Sequence, residues 1–267
     1  MSEHLLTISR RSFCGATALL VWAPAALAAE SSALQIMQAS FQTTRFANAR
    51  FAANLSLRSA SGSAQRRNLS GAAKLIGKGA QARLIRFGSP ADMAGVATLT
   101  IERGASADDL WIYLPAMHRV RRLVTANRAD PWVGSDFSFG DILGHKVGDW
   151  HHKLDGSEAV GGSDAWRIDS TPASGGIARE TGYGRRRSWI RKRDFALLRC
   201  DFYTAANELL KSGSFSEFQS LGGGKVQPMV MAMRNVRRGS NSVFRFTEFA
   251  VDKAVSASDV APEALNR

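Results

Sequence analysis

The sequence predicts a mainly β protein of the α+β class, in which one strongly curved antiparallel sheet forms an open barrel and short helices make a lid over its mouth. Three observations predict it. Apolar residues recur at every second position in one segment after another, which is how strands with one buried face read. Turn formers separate these segments, as at Ser61-Gly62-Ser63, Gly77-Lys78-Gly79 and Ser89-Pro90. About ten to eleven strands result, more than a flat sheet usually carries before it curls. At 267 residues, with no stretch long enough to separate two cores, the chain reads as one domain over 29–267.

The N-terminus reads as an address. Ser9-Arg10-Arg11-Ser12-Phe13 precedes an apolar run from Ala16 to Leu27, and Ala26-Leu27-Ala28 fits a cleavage site. Residues 1–28 are therefore expected to be a twin-arginine signal peptide, with an apolar core too short for a permanent membrane anchor. Ser32 can cap a helix from Ala33 to Phe41, with Leu34, Met37 and Phe41 on one face. The period then changes to two. Phe51, Ala53, Leu55 and Leu57 alternate with Arg50, Ala52, Asn54, Ser56 and Arg58, and the pattern repeats at Leu69 to Leu75 and Ala97 to Ile101.

The centre of the chain runs from Asp109 to Gly144. Leu110 to Leu114 is a short apolar strand that Pro115 ends, because proline has no N–H for the ladder. A turn leads into Arg119 to Leu123, where alternation sends Arg119 and Arg121 to one face and Val120 and Arg122 to the other. Ser138 and Asp141 then stand at capping-box spacing before Ile142 and Leu143, which predicts a one-turn helix. Further on, Trp166 with Ile168, Trp189, Leu198 with Cys200 and Phe202, Met229 with Met231 and Met233, and Phe244 with Phe246 continue the strand grammar. Asn207 to Gly213 reads as a turn, and Gly222-Gly223-Gly224 as a flexible break. Outside the leader, Cys200 is the one cysteine, so no intramolecular disulfide is available, and alternation places it in packing with Leu198 and Phe202.

Removing residues 1–28, with Arg10, Arg11 and Glu3, leaves 33 basic and 22 acidic side chains, a net +11. That balance favours an anionic partner or a membrane surface, although solubility alone also accounts for it. No nucleic-acid module is recognisable. Adjacent His151 and His152 would point to opposite faces of a strand, and no metal-ligand spacing occurs. Asp136-Phe137-Ser138-Phe139-Gly140 lacks the first glycine of a nucleophile elbow, and Gly222 to Val226 lacks the frame of a phosphate loop. Acid pairs such as Glu158 with Asp164 or Asp201 with Glu208 leave an envelope hydrolase as a weaker reading, since their separation is not legible. Neither a catalytic residue nor a cofactor is assigned.

A strand ending in Tyr113-Leu114-Pro115, the Arg119-Val120-Arg121-Arg122 run, and Gly134-Ser135-Asp136-Phe137-Ser138 before a short helix together resemble a family. It is the uncharacterised periplasmic family of outer-membrane lipoprotein-sorting-like proteins, relatives of the carrier LolA commonly encoded beside RND-type exporters. Where that family usually has Tyr followed by an acidic residue, this chain has Phe139-Gly140. The resemblance implies a LolA/LolB-like open barrel, a lipid or lipoprotein cargo, an RND-type inner-membrane exporter as partner and transient contact with a membrane surface. The function expected is a non-enzymatic periplasmic carrier, exported by the twin-arginine route; the alternative is an accessory subunit that regulates an exporter and carries nothing. Candidate cavity residues are Phe51, Leu55, Leu57, Leu99, Ile101, Trp166, Ile168, Met229, Met231, Met233, Phe244 and Phe246, and core packing also accounts for any one of them. The three methionines favour a loosely shaped apolar ligand. Arg119, Arg121, Arg122 and Asp136 are expected to form either an internal ion-pair network or a docking surface for a head group or transporter.

Overall fold

The computed structural model describes residues 24–267 apart from 78–79, 104–107, 124–127 and 252, and side chains from residue 33 onward. Arg10, Arg11, Cys14 and the rest of 1–23 lie outside the described residues, as do Lys78 and Gly79 of one expected turn. After helix α1 (Pro24–Thr43), six strands follow: β1 (Asn48–Arg58), β2 (Ala64–Leu75), β3 (Gln81–Ser89), β4 (Ala97–Ile101), β5 (Asp109–Leu114) and β6 (Arg119–Leu123). A crossing segment then carries the short helix α2 (Phe139–Leu143). Beyond it come β7 (Trp150–Val160), β8 (Ser163–Pro172), helix α3 (Gly175–Thr181), β9 (Arg185–Arg191), β10 (Leu197–Tyr203), β11 (Leu209–Ser220), β12 (Val226–Asn235) and β13 (Ser240–Ala250).

All thirteen strands form one antiparallel sheet, ordered β6-β5-β4-β3-β2-β1-β13-β12-β11-β10-β9-β8-β7. The chain meanders from the central strand β1 out to one edge, β6, crosses to the opposite edge, β7, and meanders back until β13 pairs with β1. The curved sheet stays open between β6 and β7, so the residues joining those edges must pass over its inner face. They do, and they pack there: Trp132 is completely buried between Phe87 and Phe244, at ring separations of 5.5 and 6.2 Å. Its indole N–H donates to Thr98 Oγ1 at 3.2 Å. Phe137, Phe139, Ile142 and Leu143 join the same core. Gly71 is required on this face, because a Cβ there would lie 2.3 Å from the ring of Phe51 across the strand.

The outer face of β3 and β4 is covered by the C-terminal segment. Val255, Val260, Ala264 and Leu265 pack on Leu84, Leu99 and Ile101. Arg86 fastens this segment by donating to the carbonyls of Ala264 at 2.6 Å and Leu265 at 3.1 Å. On the inner side α1 lays Ala33, Ile36 and Met37 against Ile168 and Ile190, closing the mouth beside β7 to β9.

Three local expectations change. Helix α1 begins at Pro24 rather than Ala33, and so runs through the expected cleavage site; the alanines that fit a cleavage site are also the strongest helix formers. The region Asn207 to Gly213 is a turn only around Asn207, at φ 61, and from Leu209 it is strand. Serine and glycine hide that strand from a propensity reading. Leu198 does not share the face of Cys200 and Phe202, because the register shifts between Leu197 and Arg199. Leu197 turns inward, while Leu198 packs outside with Trp189 and Ala165.

Candidate functional site

A cavity of about 270 Å³ lies on the inner face, between β9 to β13, β1, α1 and α2. Its apolar wall comes from Phe51, Met231, Met233, Phe244, Phe246 and Phe249, with Phe51 edge-on to Phe246 at 5.4 Å and stacked on Phe249 at 6.1 Å. Strand register explains why these meet: Met231 faces Phe244, which faces Leu55, across three neighbouring strands.

The polar end of the cavity is built on one cross-strand row. Pairing places His152 opposite Ser170, Ser170 opposite Arg186, Arg186 opposite Phe202, Phe202 opposite Lys211, Lys211 opposite Asn235 and Asn235 opposite Ser240. Every member of the row is buried. Onto it the crossing segment sets α2. Ser138 and Asp141 form the expected capping box, each side chain accepting from the other's backbone N–H, at 3.1 and 2.9 Å. The cap residue has a second role. The Asp141 carboxylate also accepts from Lys211 Nζ at 2.7 Å and from the Tyr183 hydroxyl at 3.0 Å, and it lies 3.3 Å from His145 Nε2.

Burial alone would raise the Asp141 pKa, but Lys211 and His145 hold it far below the usual carboxylate range. His145 is pushed down to about 3, first by burial and next by the Arg186 charge, which together outweigh the attraction of Asp141. His145 is therefore neutral, donating from Nε2 to Asp141, and its buried Nδ1 has no hydrogen-bond partner. Burial, then Asp141, lifts Tyr183 well above its ordinary value. Burial raises the Cys200 thiol as well, so the cysteine is inert packing.

Of the twelve candidate cavity residues, Phe51, Met231, Met233, Phe244 and Phe246 line the cavity. Leu55 and Leu57 face inward but belong to the core around Trp132. Leu99 and Ile101 lie on the outer face under the C-terminal segment. Trp166 and Ile168 pack in the cluster under α1, Trp166 stacking on Phe195 at 5.6 Å. Met229 does not line the cavity, where Pro228 does instead; beside it in β11 Glu217 has φ 53 and the β11–β12 pairing lapses without a change of register.

The loop residues separate too. Asp136 is buried and accepts from Ser240 Oγ at 2.5 Å and Ser242 Oγ at 2.7 Å, both on β13. It meets none of the three arginines. Arg119 and Arg121 are exposed on the edge strand, and Arg122 pairs with Asp109 on the outer face, above Trp111. Arg186, His145, Tyr183 and Lys211 were not singled out by sequence. For Arg186 the signal existed: in Arg185-Arg186-Arg187-Ser188-Trp189-Ile190, alternation puts a single arginine on the face of Ile190. Glu158 and Asp201 are tied to Arg167 and Arg199 and do not line the cavity. Among the described residues no group of three or more His, Cys, Asp or Glu is placed to hold a metal ion, and no helix is long and apolar enough to cross a membrane.

A family model described as an uncharacterised protein matches residues 79–267. Among solved structures, a domain of an outer membrane lipoprotein-sorting protein from Vibrio parahaemolyticus is similar at 22% identity and TM-score 0.83, covering 89% of this chain and all of that one. A DUF1329 family protein from Desulfovibrio piger is similar at 28% identity and TM-score 0.82, covering 89% of this chain and 99% of that one. A LolA superfamily protein from Nitrosomonas europaea shares the fold at 17% identity and TM-score 0.68, over 87% and 98% of the two chains. No curated protein matches the sequence.

Proposed function

The chain belongs to the family, described as an uncharacterised protein, whose model matches residues 79–267, and it has the fold of a LolA superfamily protein; on that premise we propose that it is a non-enzymatic periplasmic carrier. Its cargo is a lipid or the acyl part of a lipid-modified protein, held in the inner-face cavity and moved toward the outer membrane. Residues 1–28 route it out of the cytoplasm by the twin-arginine path, and an RND-type inner-membrane exporter delivers the cargo. The observation that carries the reading is the Met231–Phe244–Phe246 wall: an apolar cavity left open inside a sheet whose other half is tightly filled. Flexible thioethers and aromatic rings suit a chain of loose shape. At about 270 Å³ the cavity lies just below the usual range for small-ligand sites, roughly 300–1,000 Å³, which suits one acyl chain better than several.

The test is to purify the mature protein from its native periplasm and analyse the extracted lipids by mass spectrometry. Near-stoichiometric lipid is expected; a protein that is lipid-free and also refuses added apolar probes would end the carrier reading. One observation favours the accessory-subunit alternative. The edge hairpin exposes Met117 and Val120 beside Arg119 and Arg121, and an uncovered edge strand is a ready surface for a partner protein.

A further inference from the structure

Arg186 is an anomaly in the cavity wall. It projects from the middle of β9 onto the inner face, is 7% exposed, and lies among Trp150, Phe202 and Cys200. Its guanidinium stands 5.0 Å from the centre of the Trp150 ring and 5.7 Å from that of Phe202, and its one hydrogen bond among the described residues is a long one, Nη2 to Cys200 Sγ at 3.9 Å. Nε is buried with no partner. No carboxylate among the described residues is within ion-pair distance of it. An arginine cannot escape by losing its proton, and an unpaired buried charge is costly. The Trp150 and Phe202 rings offset part of that cost, but they do not accept the hydrogen bonds that Nε and its neighbours can donate, and a ligand oxygen could.

The neighbouring carboxylates are already engaged. Asp141 is taken up by Lys211, Tyr183, His145 and the Ser138 N–H. Glu102, the other carboxylate on the cavity wall, pairs with Arg45 at 2.5 Å and accepts from the Gln81 N–H at 3.1 Å. Glu102 and Asp141 thus stand against Arg45, Arg83, Lys146 and Arg186 in the lining, so the wall carries a cationic excess. Arg83 is used in fastening α2, donating to the Ile142 carbonyl and to Gln81 Oε1 at 2.6 Å. Lys146 pairs with Asp108 at 2.8 Å. The charge left over is Arg186, at the end of the chamber that holds Asp141 and His145.

We infer that the cavity takes a single medium-length acyl chain with an ionised oxygen head, a carboxylate or a phosphate, and that Arg186 receives that head while Met231, Phe244 and Phe246 hold the chain. The inference rests on the carrier reading and narrows its cargo. A charge-assisted bond from guanidinium to an oxyanion, formed where water is excluded, is about twice as strong as a neutral one. A neutral hydroxyl head can accept from the guanidinium but brings no charge to offset it. The ligand's charge, and not only its chain, should therefore decide affinity.

The experiment uses the mature protein, stripped of lipid, and titrates it with laurate, dodecyl phosphate and dodecanol in competition with an apolar fluorescent probe. Wild type should bind at least one of the two ionised ligands ten-fold or more tightly than the alcohol, and the tighter of them identifies the head. Arg186→Met should lose that preference while still binding dodecanol, and Arg186→Lys should keep part of it; circular dichroism and Tm establish that each variant is folded. Equal binding of all three ligands by wild type would overturn the inference and leave the carrier standing. So would an undiminished preference in Arg186→Met. Failure of wild type to bind any of them would remove the carrier reading as well. Should Arg186→Met not fold, loss of the preference in Arg186→Gln, or its survival there, decides the matter in the same way.

Discussion

The two halves of the inner face are built from the same alternating strands, yet they end differently. On the side of β1 to β5, Trp132 descends from the crossing segment into a core with Leu55 and Phe87 and is completely buried there. On the side of β9 to β13, Met231 and Phe246 line the cavity beside Phe51 of β1, Phe244 stands between it and Trp132, and the crossing segment meets the polar end through Asp141 of α2 and His145 just beyond it. The difference lies in the filler, not in the sheet. One connection laid over one half makes that half an ordinary core and leaves the other half a chamber with a polar end.

If that division is right, the largest stability effect belongs to the filled half. Trp132→Ala deletes a fully buried ring and should cost about 3–5 kcal/mol, read as a lower denaturant midpoint. A loss under ~1 kcal/mol would mean that the segment is not a structural filler.

The polar end should make the protein acid-labile. His145 has a folded pKa of about 3, below its ordinary 6.5, so between those values the unfolded chain binds the extra proton and stability falls as pH falls. Asp141 is depressed as well, and its contribution is lost below the ordinary carboxylate value of 3.8. Stability should therefore be fully present above about pH 6.5 and decline toward pH 3, by an amount on the order of a few kcal/mol. His145→Gln should flatten the upper part of that decline. An unchanged slope in the variant would show that His145 is not the group responsible.

The loop residues sharpen the same comparison at smaller scale. Asp136→Ala removes the acceptor of Ser240 and Ser242 beneath the segment and should cost about 1–3 kcal/mol. Arg121→Ala, at the exposed edge, should change stability by no more than about 0.5 kcal/mol. Equal effects of the two in thermal melts would revive a direct Arg121–Asp136 link.

The fold was legible because alternation survives along nearly every strand, and the capping box was legible because Ser138 and Asp141 declare it locally. The partition of the face was not. Leu55 and Met231 obey the same rule of alternation, and only the path of the crossing segment decides that one is core and the other cavity wall. Leu99 looked like cavity because the C-terminal segment that covers the outer face has no strand signal of its own. Asp136 was expected in a network or docking surface with Arg119, Arg121 and Arg122, close by in sequence, whereas its partners are serines about a hundred positions away. Met229 was misplaced where the neighbouring strand turns to φ 53 at Glu217, a backbone irregularity that no pattern in its own strand records.

Inward-facing residues on the two halves of one sheet have opposite roles, and paired charge insertions separate them. Leu55 and Met231 flank Phe244 on adjacent strands, so Leu55→Lys and Met231→Lys differ mainly in which half receives the charge. Leu55→Lys should fail to fold, because an ammonium cannot be desolvated in a filled core without a partner. Met231→Lys should fold with a Tm close to wild type and lose an apolar fluorescent probe that wild type binds. Collapse of both variants, or a folded Met231→Lys that still binds the probe as wild type does, would contradict it.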